Sequence, residues 1–512
     1  AIIALDGFCD RVMPACRAAK SPPELLLVRI SDALPFPKAL AYRLAKRSKL
    51  PQGYPYRLWS GLLRKAPASL PPDDGASDTC AVILYSGGTT GKTKGICLSS
   101  DNFNALAYQT IAASGCRTLL GCSMLSVMPM FHGFGLGVCI HTMLSQGGRC
   151  ILVPRFTAKS YAKLLIKYRC NFIAGVPTLY EALLRLSTMN GTDLSCLKGV
   201  FSGGDSLSVE LKKKLDRFLY DHKSVIQVRE GYGTTETVTA CCLTPPHMFK
   251  EGSIGVPFPD TYIKIVNRES GEELPYGEEG EILLAGPTVM KEYMNHPDET
   301  AETLRVGDDG LTWVHTGDLG MMDTEGFVYF RGRAKRMIIT SGYNVYPGQI
   351  ENILDAHEYV QMSCVIGVPD PYKMQKVKAF VKLAAGVPAN DETKQVLLAY
   401  CRKNIAKYAM PYDIEFRDDM PKTLVGKVAY RMLEEEEMAR IAASANAVAA
   451  APAPAAEPIE KGKKDKKSEK GKHRSSDKAA VPEHSAEASD RETAHTDGET
   501  AHIENGGAEV EK

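Results

Sequence analysis

Residues 86–95 read Ser-Gly-Gly-Thr-Thr-Gly-Lys-Thr-Lys-Gly and follow directly on the apolar run Ala81-Val82-Ile83-Leu84-Tyr85. The run predicts a buried strand. The glycines behind it let the backbone turn tightly and approach a ligand with no Cβ in the way. Ser86, Thr89, Thr90 and Thr93 bring hydroxyls, while Lys92 and Lys94 bring positive charge. Backbone N–H groups, hydroxyls and ammonium groups gathered on one short loop suit a polyphosphate. The loop is not a Walker A sequence, which would place glycine at 86, where this chain has serine. Taken alone, the loop also reads as a Gly/Thr-rich surface turn with no ligand.

At 512 residues, 44% hydrophobic and 24% charged, the chain can bury a large core and divide into two or more domains. A formal net charge of +1 argues against an electrostatic nucleic-acid binder. The 14 cysteines are scattered, with one adjacent pair, Cys241-Cys242, and no C-x-x-C spacing. That usage predicts buried, reduced thiols in a cytoplasmic protein rather than a disulfide or zinc framework. The longest apolar stretch, near 128–144, is interrupted by His132, His141 and glycines, so it is not a membrane span. No signal peptide is visible. The opening Ala1-Ile2-Ile3-Ala4-Leu5 reads as mid-pattern, giving the expectation of an N-terminally truncated first domain.

From about 80 to 240, short β-rich runs alternate with helical patterns: Cys150–Val153, Tyr161–Tyr168, Asn171–Val176, Thr178–Leu186. This predicts parallel α/β units with buried strands. Between 252 and 332 strands and turns dominate (Tyr262–Val266, Gly280–Leu284, Gly326–Phe330), predicting an antiparallel subdomain. Residues 337–434 predict a smaller α/β unit, with strands at Ser363–Val368 and Lys376–Leu383, a helix at Asp391–Asn404 and a closing helix after Lys427. Beyond about 442 come Ala/Pro repeats, a lysine-rich run at 461–472 and an acidic stretch to Lys512. With almost no large apolar residues this tail is expected to be disordered, its lysines free to touch an acidic or lipid surface as a peripheral contact.

Later motifs give the glycine-rich loop its meaning. Gly231-Tyr232-Gly233-Thr234-Thr235-Glu236 follows the β-like run Val225–Val228. Next come Thr316-Gly317-Asp318, Arg331-Gly332-Arg333-Ala334-Lys335, Gly342-Tyr343-Asn344-Val345-Tyr346-Pro347 and Pro421-Lys422-Thr423-Leu424-Val425-Gly426-Lys427. In this order the motifs resemble the adenylate-forming (AMP-binding) superfamily of acyl-CoA synthetases, luciferases and peptide-synthetase adenylation domains, over roughly residues 1–437. The resemblance implies a mixed α/β fold of several subdomains, with a large N-terminal AMP-binding domain (1–334), a small mobile C-terminal domain (335–440) and the disordered charged tail (441–512).

It also implies roles. Ser86, Gly87, Gly88, Thr89, Thr90, Gly91 and Lys92 would hold the β- and γ-phosphates of ATP. Thr234 and Thr235 would meet phosphate, and Glu236 would bind the Mg²⁺ that bridges it. Tyr232 with Gly233 offers one wall for adenine and Gly203-Gly204-Asp205 the other. Asp318 would accept from the ribose hydroxyls and Arg333 donate to ribose or phosphate, although an ion pair accounts for Arg333 equally well. Lys427 would bring its ammonium to the carboxylate and the α-phosphate together, catalysis by position and charge with no nucleophilic side chain. Lys335 would lie at the hinge, and Gly342-Tyr343 would line a pantetheine tunnel after the small domain swings.

His132, in Met130-Phe131-His132-Gly133-Phe134-Gly135, stands where amino-acid-activating relatives usually have aspartate, which favours neutral or apolar acids. It reads either as an active-site residue beside the acyl pocket or as a core histidine satisfied by backbone. Phe131, Phe134, Val176, Leu179, Phe201 and Val238 are candidate apolar walls, suiting a medium- or long-chain fatty acid or an aryl acid. Coenzyme A is the expected acceptor. The alternatives are an acyl-AMP ligase loading an acyl carrier protein, a nucleotide-binding scaffold whose catalysis has lapsed, and a phosphate-transferring P-loop enzyme.

Overall fold

The computed structural model describes residues 1–45, 51–69, 75–87, 93–153, 156–423 and 426–449. Ala1–Val448 forms one unit, and every contact below lies within it. At its centre is a seven-stranded sheet in the order Val256–Pro257, Cys242–Leu243, Val228–Tyr232, Gly199–Gly203, Phe172–Gly175, Ser123–Ser126, Arg149–Leu152. The last five run parallel. Helices such as Ala158–Tyr168, Pro177–Leu184 and Val209–Asp221 connect them, as the alternation predicts. Strands Phe172–Gly175 and Gly199–Gly203 are buried throughout, which is why they read as unbroken apolar and small residues. The strand Val228–Tyr232 starts later than expected: Val225 is exposed, and the pairing takes in Gly231 and Tyr232 themselves.

The apolar run before the glycine-rich loop corrects the expectation of a buried strand. Cys80–Gly87 and Thr93–Ser99 form an antiparallel hairpin, with Cys80–Gly87 at the edge of a separate three-stranded sheet. Leu84 is buried, but Ile83 and Tyr85 on the opposite face are exposed, because an edge strand packs on one side only. The loop residues Gly88, Thr89, Thr90, Gly91 and Lys92 lie outside the described residues, as does the side chain of Ser86.

A five-stranded antiparallel sheet follows, with Thr312–Met322 pairing Gly280–Ala285, Leu304–Val306 and Val328–Arg333. Its register sets Asp318 opposite Arg333. The C-terminal part is built on the long hairpin Val360–Asp370/Met374–Leu383, to which Asp413–Phe416 adds in parallel. Helix Asp391–Asn404 has the bounds expected, capped by the Asn390 side chain, which accepts from the Thr393 N–H at 2.9 Å. The closing helix, Tyr430–Ala449, runs beyond 440, where the ordered domain was expected to stop. Alanine-rich sequence favours helix, so the composition change near 442 does not end it. A buried charge cluster fastens this helix: Lys378 donates to Glu437 at 2.6 Å and lies 2.9 Å from Glu415. All 14 cysteines are free thiols and ten of them are buried. Among the described residues no helix is long and apolar enough to cross a membrane.

Candidate active site

Strands Phe172–Gly175, Gly199–Gly203 and Val228–Tyr232 end side by side, and the segments after them line one crevice, the usual ligand position for an open parallel sheet. Beyond the middle strand, Gly204 has φ +81°, and Asp205 opens into the crevice with its carboxylate accepting from the Ser206 N–H at 3.1 Å. Glu230, which the sequence reading passed over, braces this turn by accepting from the Leu207 N–H at 3.1 Å. Burial pushes its carboxyl up to about 8. The helix after the first strand is tied down by Tyr180, whose hydroxyl donates to the Phe201 carbonyl at 2.6 Å.

After the third strand, Gly233 stands where a Cβ would lie 2.4 Å from the Thr239 carbonyl oxygen, so only glycine lets the turn close. Thr234 caps the short 3₁₀ turn Thr235–Thr237, its hydroxyl 3.4 Å from that of Thr237. Val238 and Thr239 follow at φ +51° and +78°, two β-branched residues in the left-handed region and a concentration of backbone strain beside the crevice. Glu236 accepts from the Tyr293 hydroxyl at 2.8 Å, and Lys94 sits 4.7 Å from the centre of the Tyr293 ring. Tyr293 thus links the second strand of the hairpin to the acidic residue, a role that nothing in its local sequence signals.

Asp318, 1% exposed, accepts from the Tyr232 hydroxyl at 2.7 Å. Its other oxygen lies 3.1 Å from the Arg333 guanidinium yet makes no hydrogen bond, leaving a buried acceptor for an incoming hydroxyl. Burial raises the Asp318 carboxyl, opposed by Arg333. The ion-pair reading of Arg333 is therefore realised. Tyr232 leans one ring face on Phe330, with centroids 5.7 Å apart.

Lys427 reaches this crevice. The Thr423 N–H donates to the Lys427 carbonyl at 2.8 Å, and Gly426 takes φ +88° in the tight loop that presents the lysine. Thr178 on the large body donates to the Gly426 carbonyl at 3.0 Å. The lysine stem passes over Gly204, whose Cβ position would be 3.6 Å from Lys427 Cε and from Val176 Cγ1. Burial depresses the ammonium pKa, while Asp205 and Asp318 support the charged form.

His132 accepts from the Phe134 N–H through Nδ1 at 3.2 Å, so the proton of the neutral ring is on Nε2. Burial and the nearby Lys427 push its pKa down to about 4. It is both backbone-satisfied and within reach of the crevice's charge. Lys335 is exposed in the short turn Ala334–Arg336, between two anchors: Arg333 on Asp318 and Arg336 on Glu351. Gly342 and Tyr343 are not brought to the crevice. Gly342 turns a hairpin in open space, and Tyr343 stacks on Tyr408 with ring centres 4.5 Å apart.

An apolar slot of about 40 Å³ opens beneath Gly203 and Gly204, lined by Phe134, Val138, Phe201 and Phe258. The hydroxyls of Thr110, Ser202 and Thr239 belong to residues of its wall and are buried without a partner. Of the expected apolar walls, Phe134 and Phe201 line the slot. Val176 lies under the lysine stem, Leu179 packs on Gly175 and Val238 packs near Gly137. Phe131 is exposed, lying before the helical segment Phe134–His141 that carries the slot's wall.

A crevice with a buried carboxylate pair-bonded to tyrosine and arginine, a glycine-backed floor and a lysine delivered from a second domain defines a nucleotide-handling enzyme of the adenylate-forming class. The chain belongs to the AMP-binding enzyme family, whose profile matches residues 7–294, with the AMP-binding enzyme C-terminal domain matching 349–427. It is 36% identical over 430 residues to the long-chain-fatty-acid–CoA ligase of Bacillus subtilis (strain 168), covering 81% of this chain and 73% of that one. It is also 36% identical over 368 residues to a feruloyl-CoA synthase from Amycolatopsis sp, 70% of each chain. The ATP-bound MatB structure from Rhodopseudomonas palustris aligns with TM-score 0.68 at 28% identity, covering 84% of this chain and 80% of that one.

Proposed function

We propose that this enzyme activates a long-chain fatty acid with ATP and passes the acyl group to coenzyme A. In the first half-reaction a carboxylate oxygen attacks the α-phosphorus, the bond to the β-phosphate breaks and pyrophosphate leaves. In the second, the thiolate of coenzyme A attacks the acyl carbonyl and AMP leaves. The observation that carries this reading is the position of Lys427, inside the crevice and latched through Gly426 to Thr178. There the ammonium would neutralise both the attacking carboxylate and the α-phosphate, two anions that otherwise repel.

The unsatisfied Asp318 oxygen fits a ribose hydroxyl, and Tyr232 holds that carboxylate in place. Glu236 offers a carboxylate oxygen beyond the one held by Tyr293, which fits a magnesium ion taking its remaining ligands from phosphate and water. Bound there, magnesium would supply charge neutralisation to the phosphates. Lys94, Thr235 and the loop 86–92 would complete the phosphate side. Lys335, on the short turn between the anchors at Arg333 and Arg336, would be the pivot separating bodies 1–334 and 335–440, and Gly342-Tyr343 would reach the crevice only after that rotation.

The substrate class follows from the fatty-acid–CoA ligases that the chain resembles and from the apolar slot. The three unpartnered hydroxyls in the slot wall favour a second reading, an aryl acid with a polar substituent, the class to which the feruloyl-CoA synthase relative points. Pyrophosphate exchange with palmitate and with ferulate separates the two, and comparing coenzyme A with an acyl carrier protein as acceptor settles the second step. Failure of every acid to support exchange by folded protein would leave a nucleotide-binding scaffold instead. Lys427→Ala should lower adenylation by about two to three orders of magnitude, while thioester formation from supplied acyl-adenylate largely survives. Equal loss of both half-reactions would contradict the swinging lysine.

A further inference from the structure

The short strand Glu292–Tyr293 and the residues on either side of it tie two parts of the crevice together. It pairs with the strand Thr93–Ser99, Tyr293 opposite Ile96 and Glu292 opposite Cys97. The Lys291 and Met294 N–H groups donate to the Cys97 and Gly95 carbonyls at 2.9 and 2.7 Å. The same segment grips Glu236 twice. The Met290 N–H donates to the Glu236 carbonyl at 2.7 Å, and the Tyr293 hydroxyl donates to Oε1 of its side chain at 2.8 Å. One segment therefore fixes both the strand that leads out of the glycine-rich loop and the acidic residue of the turn after Tyr232.

Tyr293 is itself firmly held, at 6% exposure. Its N–H donates to the Thr300 hydroxyl at 2.9 Å, and that hydroxyl donates to the His296 carbonyl at 2.8 Å. The Lys94 ammonium lies 4.7 Å from the ring centre and 4.0 Å from Glu299, so the ring carries a cation on one face. A hydrogen bond from a phenol to a carboxylate is charge-assisted and holds that carboxylate in one orientation. Glu236 stands on the nucleotide side, because its charge bears on both Asp318 and Arg333.

We propose that Tyr293 is a positioning residue for the magnesium site: by engaging Oε1 of Glu236 it fixes the side chain so that Oε2 is the oxygen offered to the metal. The inference rests on the reading of Glu236 as the magnesium carboxylate. A tyrosine that only fills the core needs no more than one acceptor of any kind. Here the acceptor is the carboxylate of the metal site, and the segment that carries the tyrosine also holds that residue's backbone. Ligating carboxylates are commonly oriented by such a neighbour, whose loss costs about 10- to 100-fold in metal affinity.

The test is calorimetry of the full chain with α,β-methylene-ATP, an analogue that cannot release pyrophosphate, in magnesium and in EDTA. The ratio of the two affinities reads the metal's contribution without turnover. Tyr293→Phe keeps the ring and its contact with Lys94 and removes only the hydroxyl. It should shrink that ratio about tenfold while the affinity in EDTA holds. Glu236→Gln should shrink the ratio at least as far, and adding Tyr293→Phe to it should change nothing further, as expected of two groups acting through one site. A ratio unchanged in Tyr293→Phe but lowered in Glu236→Gln overturns this inference alone. Equal losses in magnesium and in EDTA also overturn it, since the hydroxyl would then be supporting the crevice as a whole. A ratio that survives Glu236→Gln overturns the magnesium reading of that carboxylate and this inference with it.

Discussion

At the scale of single residues, burial sets the protonation of the groups around the crevice. His132 gives a measurable instance. Its pKa is pushed down to about 4, against an ordinary value near 6.5, so the folded chain favours the neutral ring more than the unfolded chain does. The associated stability is therefore fully present above pH 6.5 and is lost as pH falls toward 4. The gap between the two values sets a ceiling of about 3 kcal/mol on that loss. His132→Gln keeps a neutral side chain at every pH, so its thermal midpoint should vary less than the parent's between pH 6.5 and 4. Parallel curves would place the acid sensitivity elsewhere. Asp318 gives a second. Asp318→Asn preserves shape but weakens the pull on Arg333 and the acceptor offered to a hydroxyl, so KM for ATP should rise about tenfold or more. A change confined to thermal stability would remove Asp318 from the nucleotide site. Asp318 and Lys427 were legible as candidates because their motifs are ordered along the chain. Glu230 and Tyr293 were not, because each acts on a partner distant in sequence, Tyr293 on Glu236 and Glu230 on the turn at Leu207.

At the scale of elements, the parallel strands could be read from pattern because they are short unbroken runs of apolar and small residues, and the helix Asp391–Asn404 because it has a clear cap. The hairpin Cys80–Gly87/Thr93–Ser99 was harder. Its first strand is apolar on both faces, although only one face is covered, so the hydrophobic run overstates its burial. The turn at Thr235–Thr237 illustrates what pattern cannot give: Val238 and Thr239, both β-branched, follow it in the left-handed region. Gly233 is the element's pivot, and Gly233→Ala would press a methyl against the Thr239 carbonyl, 2.4 Å from the ideal Cβ position. The backbone there cannot yield cheaply, so stability should fall by about 1–3 kcal/mol, and the placement of Thr235 and Glu236 should be lost with it. Urea unfolding and the magnesium dependence of adenylation read the two effects separately. Wild-type values for both would mean that the turn has room the structure does not provide.

At the scale of the whole molecule, the question is what holds Lys427 in the crevice. The contact between the two bodies that bears directly on its loop is the hydrogen bond from Thr178 to the Gly426 carbonyl, supported by the lysine stem against Gly204 and Val176. That latch is neutral and modest, worth about 1 kcal/mol by the usual scale of such bonds. On the proposed mechanism, in which the lysine leaves the crevice between half-reactions, a modest latch is fitting, because a stronger one would stabilise the arrangement that the second step would have to leave. Thr178→Val keeps volume and branching and deletes only the donor. It should lower the adenylation rate about fivefold, the factor that 1 kcal/mol represents, with little change in thermal midpoint. The thioester step from supplied acyl-adenylate should hold its rate or gain, since the closed form competes less. If Thr178→Val slowed both steps alike, the hydrogen bond would be supporting the crevice itself, and the two bodies would not be exchanging positions during turnover.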